Sequence, residues 1–243
     1  MTEPLVGAPA CAVCGRALKL GAEFCGGCGQ RVILAPRRSD VRTLITFYVT
    51  SLVIMASAMI YVRVTDDELH GVIGATLGLT VASGLFAVQH RDLVALPLRT
   101  AGFSLVGYAL VVLASVPIVL GVHAYVGLVH RLLGMHITDE LAVFAGSPAW
   151  LPIVMVVVLP PLGEELAFRG LIFGGLRRSL SVTDAFLISS FAFAVLHLAI
   201  PSLVTHFPLG LYLCWLRHRS GSLWPGVLAH ACHNLGICIL AWT

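Results

Sequence analysis

Glu164, Glu165 and Arg169 come shortly after Ile153-Val154-Met155-Val156-Val157-Val158-Leu159, a run with no polar side chain. An acid or guanidinium at hydrocarbon depth costs roughly 2.5–3.5 kcal/mol each on insertion scales, so three of them beside such a run call for a use. Two later apolar stretches carry His197, and then His230 with Asn234. A carboxylate that can take a proton, two imidazoles and a carboxamide donor are the parts of a site that activates water for hydrolysis.

Spacing assigns the parts. Glu165 and Arg169 are i and i+4 with the acid first, the favourable order for an ion pair on one helix face. Glu164, about 100° round the helix, is left without such a partner and can face a water-filled cavity. His230 and Asn234 are also i and i+4, so their polar groups project together from an apolar helix. Phe193 lies one turn before His197. His233 sits on the flank of the His230/Asn234 face. His206, Ser202 and Thr205, near Pro201, read as interfacial, and His90, His123, His130, His136 and His218 as loop or interface histidines. No serine or cysteine nucleophile set stands out, and there is no His-Glu-x-x-His zinc motif. The same Glu164/His197/His230 set could hold Zn²⁺ with an open position. A metal-free route, with one glutamate as base, is the favoured reading.

Composition fixes what must position these groups. The chain has 243 residues, 58% hydrophobic and 11% charged, with a mean hydropathy of +0.94. This excludes an ordinary soluble domain and predicts an all-α polytopic membrane protein, a bundle of about seven or eight transmembrane helices. Seven spans are read at 44–62, 71–89, 101–128, 148–163, 184–200, 202–217 and 223–241. The third carries Pro117 and is expected to kink or tilt, and the helix of the fourth is expected to run on from Glu164 towards Arg178. The net charge of +3 is too small and scattered to suggest nucleic acid. The first ten residues carry Glu3 and no basic n-region, and the first long apolar run begins only near Leu44, so no signal peptide is expected. Arg37, Arg38, Arg42, Arg91, Arg99, Arg169, Arg177, Arg178, Arg217 and Arg219 fall on alternate sides from Arg63 and Arg131. By the positive-inside rule the N-terminus and the Glu-Glu pair lie on the cytoplasmic side. The Ala/Val/Leu-rich, Lys-poor composition suggests a plasma membrane.

Before the spans lies a polar head, residues 1–31, and a linker, 32–42; the membrane domain is read as 43–243, with its motif core at 160–240. Cys11-x-x-Cys14-Gly15 and Cys25-x-x-Cys28-Gly29 are two knuckles ten residues apart. Four thiolates so arranged form a closed tetrahedral site, which makes the expected ion a structural zinc. Redox-active dithiols are the lesser alternative. So small a head has almost no core, and metal binding is expected to fold it. It could also dock a protein partner. Cys214, Cys232 and Cys238 read as small core residues.

Glu-Glu-x-x-x-Arg, Phe-x-x-x-His and His-x-x-x-Asn, in this order over residues 164–234, resemble the CPBP (Abi) family of intramembrane proteases. These are relatives of the CAAX prenyl endopeptidases and of bacteriocin-processing or self-immunity proteins. The resemblance implies that Glu164 activates the attacking water, assisted by His197. It implies that His230 and Asn234 stabilise the oxyanion, and that Glu165 and Arg169 support the site. It also implies a peptide or protein substrate at the bilayer, with no requirement that it be prenylated. The ribbon lies outside the family core, and relatives often have eight spans. Two other readings stay open: a non-catalytic anchor or immunity-type protein that works through its ribbon, and an ion or proton transporter using the same groups.

Overall fold

The computed structural model describes residues 11, 14–18, 25–29, 38–133 and 141–242. Pro36, Arg37, His136, Asp139, Glu140, most of the linker and much of the head lie outside the described residues. The membrane part is all-helical: α1 Arg38–Thr65, α2 Glu68–Gln89, α3 Arg91–Arg99, α4 Leu105–Leu133, α5 Trp150–Leu176, α6 Val182–Leu196, α7 Ile200–Ser220 and α8 Trp224–Trp242. A short 3₁₀ turn, Ala142–Phe144, precedes α5.

By length and composition, α1, α2, α4, α5 and α8 can each cross a membrane, and α6 is a shorter apolar helix. The chain is a multi-pass membrane protein. Ile45, Val53, Ile60, Leu105, Leu113 and Leu120 point outwards and are mostly exposed, as a lipid-facing surface requires. Burial is deepest in α5. In its most apolar window 44% of residues are buried, against 11% in α1 and 17% in α4, so α5 is the helix around which the others pack.

Local chemistry sets the ends. The Asp67 carboxylate accepts from the His70 amide and caps α2, and the Ser181 hydroxyl accepts from the Asp184 amide and caps α6. Pro201 opens α7 in the first turn, where its missing N–H is no loss. Gly221 closes α7 in the left-handed region at φ +69°. Residues 38–42, read as linker, are already helical. Pro117 lies inside α4 without ending it. Residues 91–99, read as a loop, form α3: Val94 and Pro97 are buried while Leu96 faces outwards. Arg178, just past α5, donates to Asp92 of α3 and thereby holds that carboxyl below the usual carboxylate range.

The helix of the fourth span, expected at 148–163 and to run on towards Arg178, extends from Trp150 to Leu176. It alternates between π turns (Ile153–Val158 and Glu165–Ile172) and α turns. Pro160 and Pro161 explain the first irregularity. In an α-helix the Val156 carbonyl would accept from residue 160, and in a π-helix from residue 161, and neither proline has an N–H to give. Such bulges recur at functional sites.

Candidate active site

The Val156 carbonyl is satisfied from outside its helix. Asn234 Nδ2 of α8 donates to it at 2.8 Å. Asn234 thus fastens α8 to α5 and keeps its second amide hydrogen free for other work. Asn234→Leu should leave that carbonyl unpaired and lower stability by about 1–3 kcal/mol. Denaturant unfolding of the purified protein in micelles would check this, with Asn234→Gln as the comparison that keeps a donor.

One turn before Asn234, His230 is buried between the two acids. Its Nδ1 lies 3.3 Å from Glu165 Oε1, and its Nε2 lies 3.9 Å from Glu164 Oε2. An ionised carboxylate only accepts, so Nδ1 carries the hydrogen of the shorter contact. Glu165 Oε1 also forms an ion pair with Arg169 Nη1 at 3.0 Å, and both side chains are fully buried. Arg169 Nη2 donates to the Gly210 carbonyl of α7 at 3.2 Å, and its guanidinium lies 4.4 Å above the Phe193 ring. Glycines make these approaches feasible. A Cβ on Gly210 would come within 2.9 Å of Ser190 Cβ, and one on Gly226 within 2.7 Å of Glu165 Oε2.

Glu164 is arranged differently. Its side chain is 14% exposed and lines a cavity of about 70 Å³ with Met55, Ala75, Thr76, Leu79, Thr80 and Pro160. Of the two adjacent carboxylates, one is fixed in an ion pair and the other opens onto space.

His197 caps the C-terminal end of α6, and its Nδ1 donates to the Phe193 carbonyl at 3.0 Å. That bond selects the tautomer whose Nε2 keeps a lone pair. Leu198, the next residue, takes φ +53°, a conformation that costs a branched residue about 1–2 kcal/mol and turns the chain sharply after the histidine. His197 joins the cluster through the fully buried Phe193, whose ring meets His197 at 5.1 Å and His230 at 5.9 Å, both edge-on.

The fold therefore brings Glu164, Glu165, Arg169 and His230 into one cluster, with Asn234 a turn further on and His197 across the Phe193 ring. His206, read as interfacial, lies against His197 with ring centroids 3.7 Å apart and the ring planes tilted by 36°. Its Nδ1 lies 3.0 Å from the Ser202 carbonyl. The i,i+4 spacing of Ser202 and His206 was the available signal. His233 is buried, and its Nδ1 has no hydrogen-bond partner among the described residues. Cys214 and Cys238 are fully buried and Cys232 half-buried, in keeping with core roles.

In the head, the four sulfurs of Cys11, Cys14, Cys25 and Cys28 lie within 4.8 Å of one another. Two of the gaps measure 3.6 and 3.7 Å. Zinc–sulfur bonds of about 2.3 Å in a tetrahedron imply edges near ~3.8 Å, so the set fits that ion. Gly15 and Gly29 both take φ +70°, and their amides donate to the Cys11 and Cys25 carbonyls. The backbone amides of Cys28 and Gly27 bring the Cys25 thiol down to about 6, which favours the thiolate a metal needs. Among the described residues no other group of histidine, cysteine, aspartate or glutamate ligands is gathered so closely. Glu164, His197 and His230 do not meet that spacing.

Comparison with known proteins bears on residues 146–236. They match the family model described as Type II CAAX prenyl endopeptidase Rce1-like. A Bacillus subtilis (strain 168) protein named "Putative membrane peptidase YdiL" is 30% identical over 91 residues, 37% of this chain and 37% of that protein. The chain thus spans 37% of the length of the curated relative it matches. No solved structure matches the chain. The matched segment runs from just before α5 to the middle of α8 and contains all four side chains that the motifs nominate for chemistry.

Proposed function

We propose that the chain is an intramembrane endopeptidase, with residues 43–243 as the protease domain, 1–31 as a zinc ribbon and 32–42 joining them. Glu164, in its cavity, takes a proton from a water molecule as the oxygen attacks a peptide carbonyl. The Nε2 lone pair of His197 assists. His230, carrying a hydrogen on Nε2 as well as the one that Nδ1 gives to Glu165, and the spare amide hydrogen of Asn234 donate to the oxyanion. As the tetrahedral intermediate collapses, the C–N bond breaks and the proton held at Glu164 passes to the leaving amine. Glu165 and Arg169 hold His230 in place. This route uses protein groups alone. The observation that carries the reading is the His230 ring set between a paired carboxylate and one that faces a cavity.

The substrate is a peptide or protein at the membrane, cut near the cytoplasmic face of the plasma membrane if the arginine distribution sets the orientation. Fluorogenic peptides ending in a prenylated CAAX sequence, and their unprenylated twins, are suitable probes for the protein in lipid vesicles. Cleavage by wild type and by Cys11→Ser, but not by Glu164→Gln, is the expected outcome. Wild-type rates from a folded Glu164→Gln protein would reject the reading.

The ribbon supports a second, compatible role in docking a protein partner. Structural zinc contributes about 10–16 kcal/mol of apparent binding free energy in small zinc-folded peptides, so its removal should unfold the head. Cobalt substitution followed by chelation is expected to abolish the tetrahedral Co²⁺ absorption and the amide protection of the Cys14–Gly15 and Cys25–Gly29 turns while the membrane helices keep their helicity. Persistence of the ribbon's amide protection after chelation would count against metal-driven folding.

A further inference from the structure

Two hydroxyls in the Glu164 cavity are not used by the mechanism. Serine and threonine in this fold commonly turn their hydroxyl back onto the carbonyl one helical turn earlier. Thr50, Ser51, Thr65, Ser83 and Ser115 all do so at 2.8–3.0 Å. This is the usual local solution for a helical hydroxyl. Thr76 and Thr80 of α2 do not take it, and their hydroxyls have no hydrogen-bond partner among the described residues. They are i and i+4, so they share a face of α2. Both line the same cavity as Glu164. A Cβ placed on Gly163, the residue before Glu164, would come 2.8 Å from Thr80 Oγ1 and 3.1 Å from Thr80 Cα. Here α2 and α5 approach so closely that Thr80 Oγ1 is seated against the backbone that carries the acid.

The cavity has the size and polarity of a solvent pocket. One water needs only about 10–15 Å³ of such volume and two to four polar partners. The roughly 70 Å³ here accommodates more than one. Its other walls, Met55, Ala75, Leu79 and Pro160, are apolar, so Glu164 and the two threonines supply the polar side chains of the lining.

We propose that Thr80, with Thr76 one turn before it, seats and orients the water that Glu164 activates. The proposal rests on the protease reading above. One water hydrogen is given to the Glu164 carboxylate, and the other to a threonine oxygen. The oxygen lone pair is then left pointing away from both, towards an incoming carbonyl. The threonines are positioning residues, since the proton goes to Glu164.

The test separates water from catalysis. Hydroxyl-radical labelling marks side chains beside bound water, and Met55 is a reactive reporter in this cavity. Met59, exposed on the outer face of α1, is the internal reference. In the full-length protein in lipid nanodiscs, the Thr76→Val/Thr80→Val double variant should lose Met55 labelling several-fold relative to Met59. Thr80→Ser, which keeps a hydroxyl, should label as wild type does. With the CAAX probes, the double variant should lose about 10²-fold in kcat with little change in KM, the signature of a misplaced nucleophile. Wild-type Met55 labelling in the folded double variant would overturn the proposal, and so would failure of Thr80→Ser to restore it. If the double variant does not fold, Thr80→Val against Thr80→Ser carries the same comparison. Active Glu164→Gln would sink the protease reading instead, whatever Met55 reports.

Discussion

Replacing Glu164 with glutamine is expected to slow cleavage by about 10²–10⁴-fold, roughly 2.7–5.5 kcal/mol in the barrier, while leaving the thermal midpoint close to that of the wild type. Glutamine keeps the shape and can still hydrogen bond, but it cannot accept the proton of the attacking water. Stability should survive because Glu164 opens onto the cavity, and its 3.9 Å approach to His230 Nε2 is longer than the contacts that hold Glu165. The neighbouring carboxylate should behave the other way. Glu165 is fully buried, 3.0 Å from Arg169 and 3.3 Å from His230, so Glu165→Gln strips a buried cation of its partner and acts first on folding. Peptide-release rates in vesicles, paired with thermal unfolding of the same preparations, would separate the two. The assignment fails if the residues behave alike, or if Glu165→Gln alone stops turnover in a protein of unaltered stability.

That contrast was legible in the sequence because it depends on helical spacing alone. Glu165 and Arg169 meet because four residues separate them, and Glu164 is displaced because one does not. His230 and Asn234 were placed on one face by the same rule. What spacing could not give was the contact across helices. The amide of Asn234 goes to Val156 because two consecutive prolines leave that carbonyl without a donor, and the prolines and the asparagine are more than seventy positions apart. The approach of His206 to His197 could not be read because the turn at Leu198 folds α7 back against α6, and a positive φ at a leucine leaves no mark in composition. The nine-residue α3 escaped notice because it is too short for a periodic pattern to declare itself. The four-cysteine head was the clearest motif of all, since its ligand spacing is local.

Arg169→Met is expected to cost about 3–5 kcal/mol of stability, the usual price of removing one partner from a buried ion pair. The guanidinium serves three neighbours at once: the Glu165 carboxylate on its own helix, the Gly210 carbonyl on α7 and the Phe193 ring on α6. Its planar fork allows this geometry, and a lysine ammonium would have to give up at least one of the three, so Arg169→Lys should also be destabilising, by less. The decisive comparison is the double variant Glu165→Gln/Arg169→Met. With both charges gone, no unpaired ion stays buried, and much of the lost stability should return. Turnover should not return with it, because His230 would then face a neutral amide instead of the carboxylate that fixes its Nδ1 hydrogen and holds its ring against Glu164. Denaturant unfolding in micelles for the single and double variants gives the coupling energy. Additive losses would mean that the pair acts as two independent side chains, whereas a double variant that is refolded yet inactive would place the role of the pair in orienting His230.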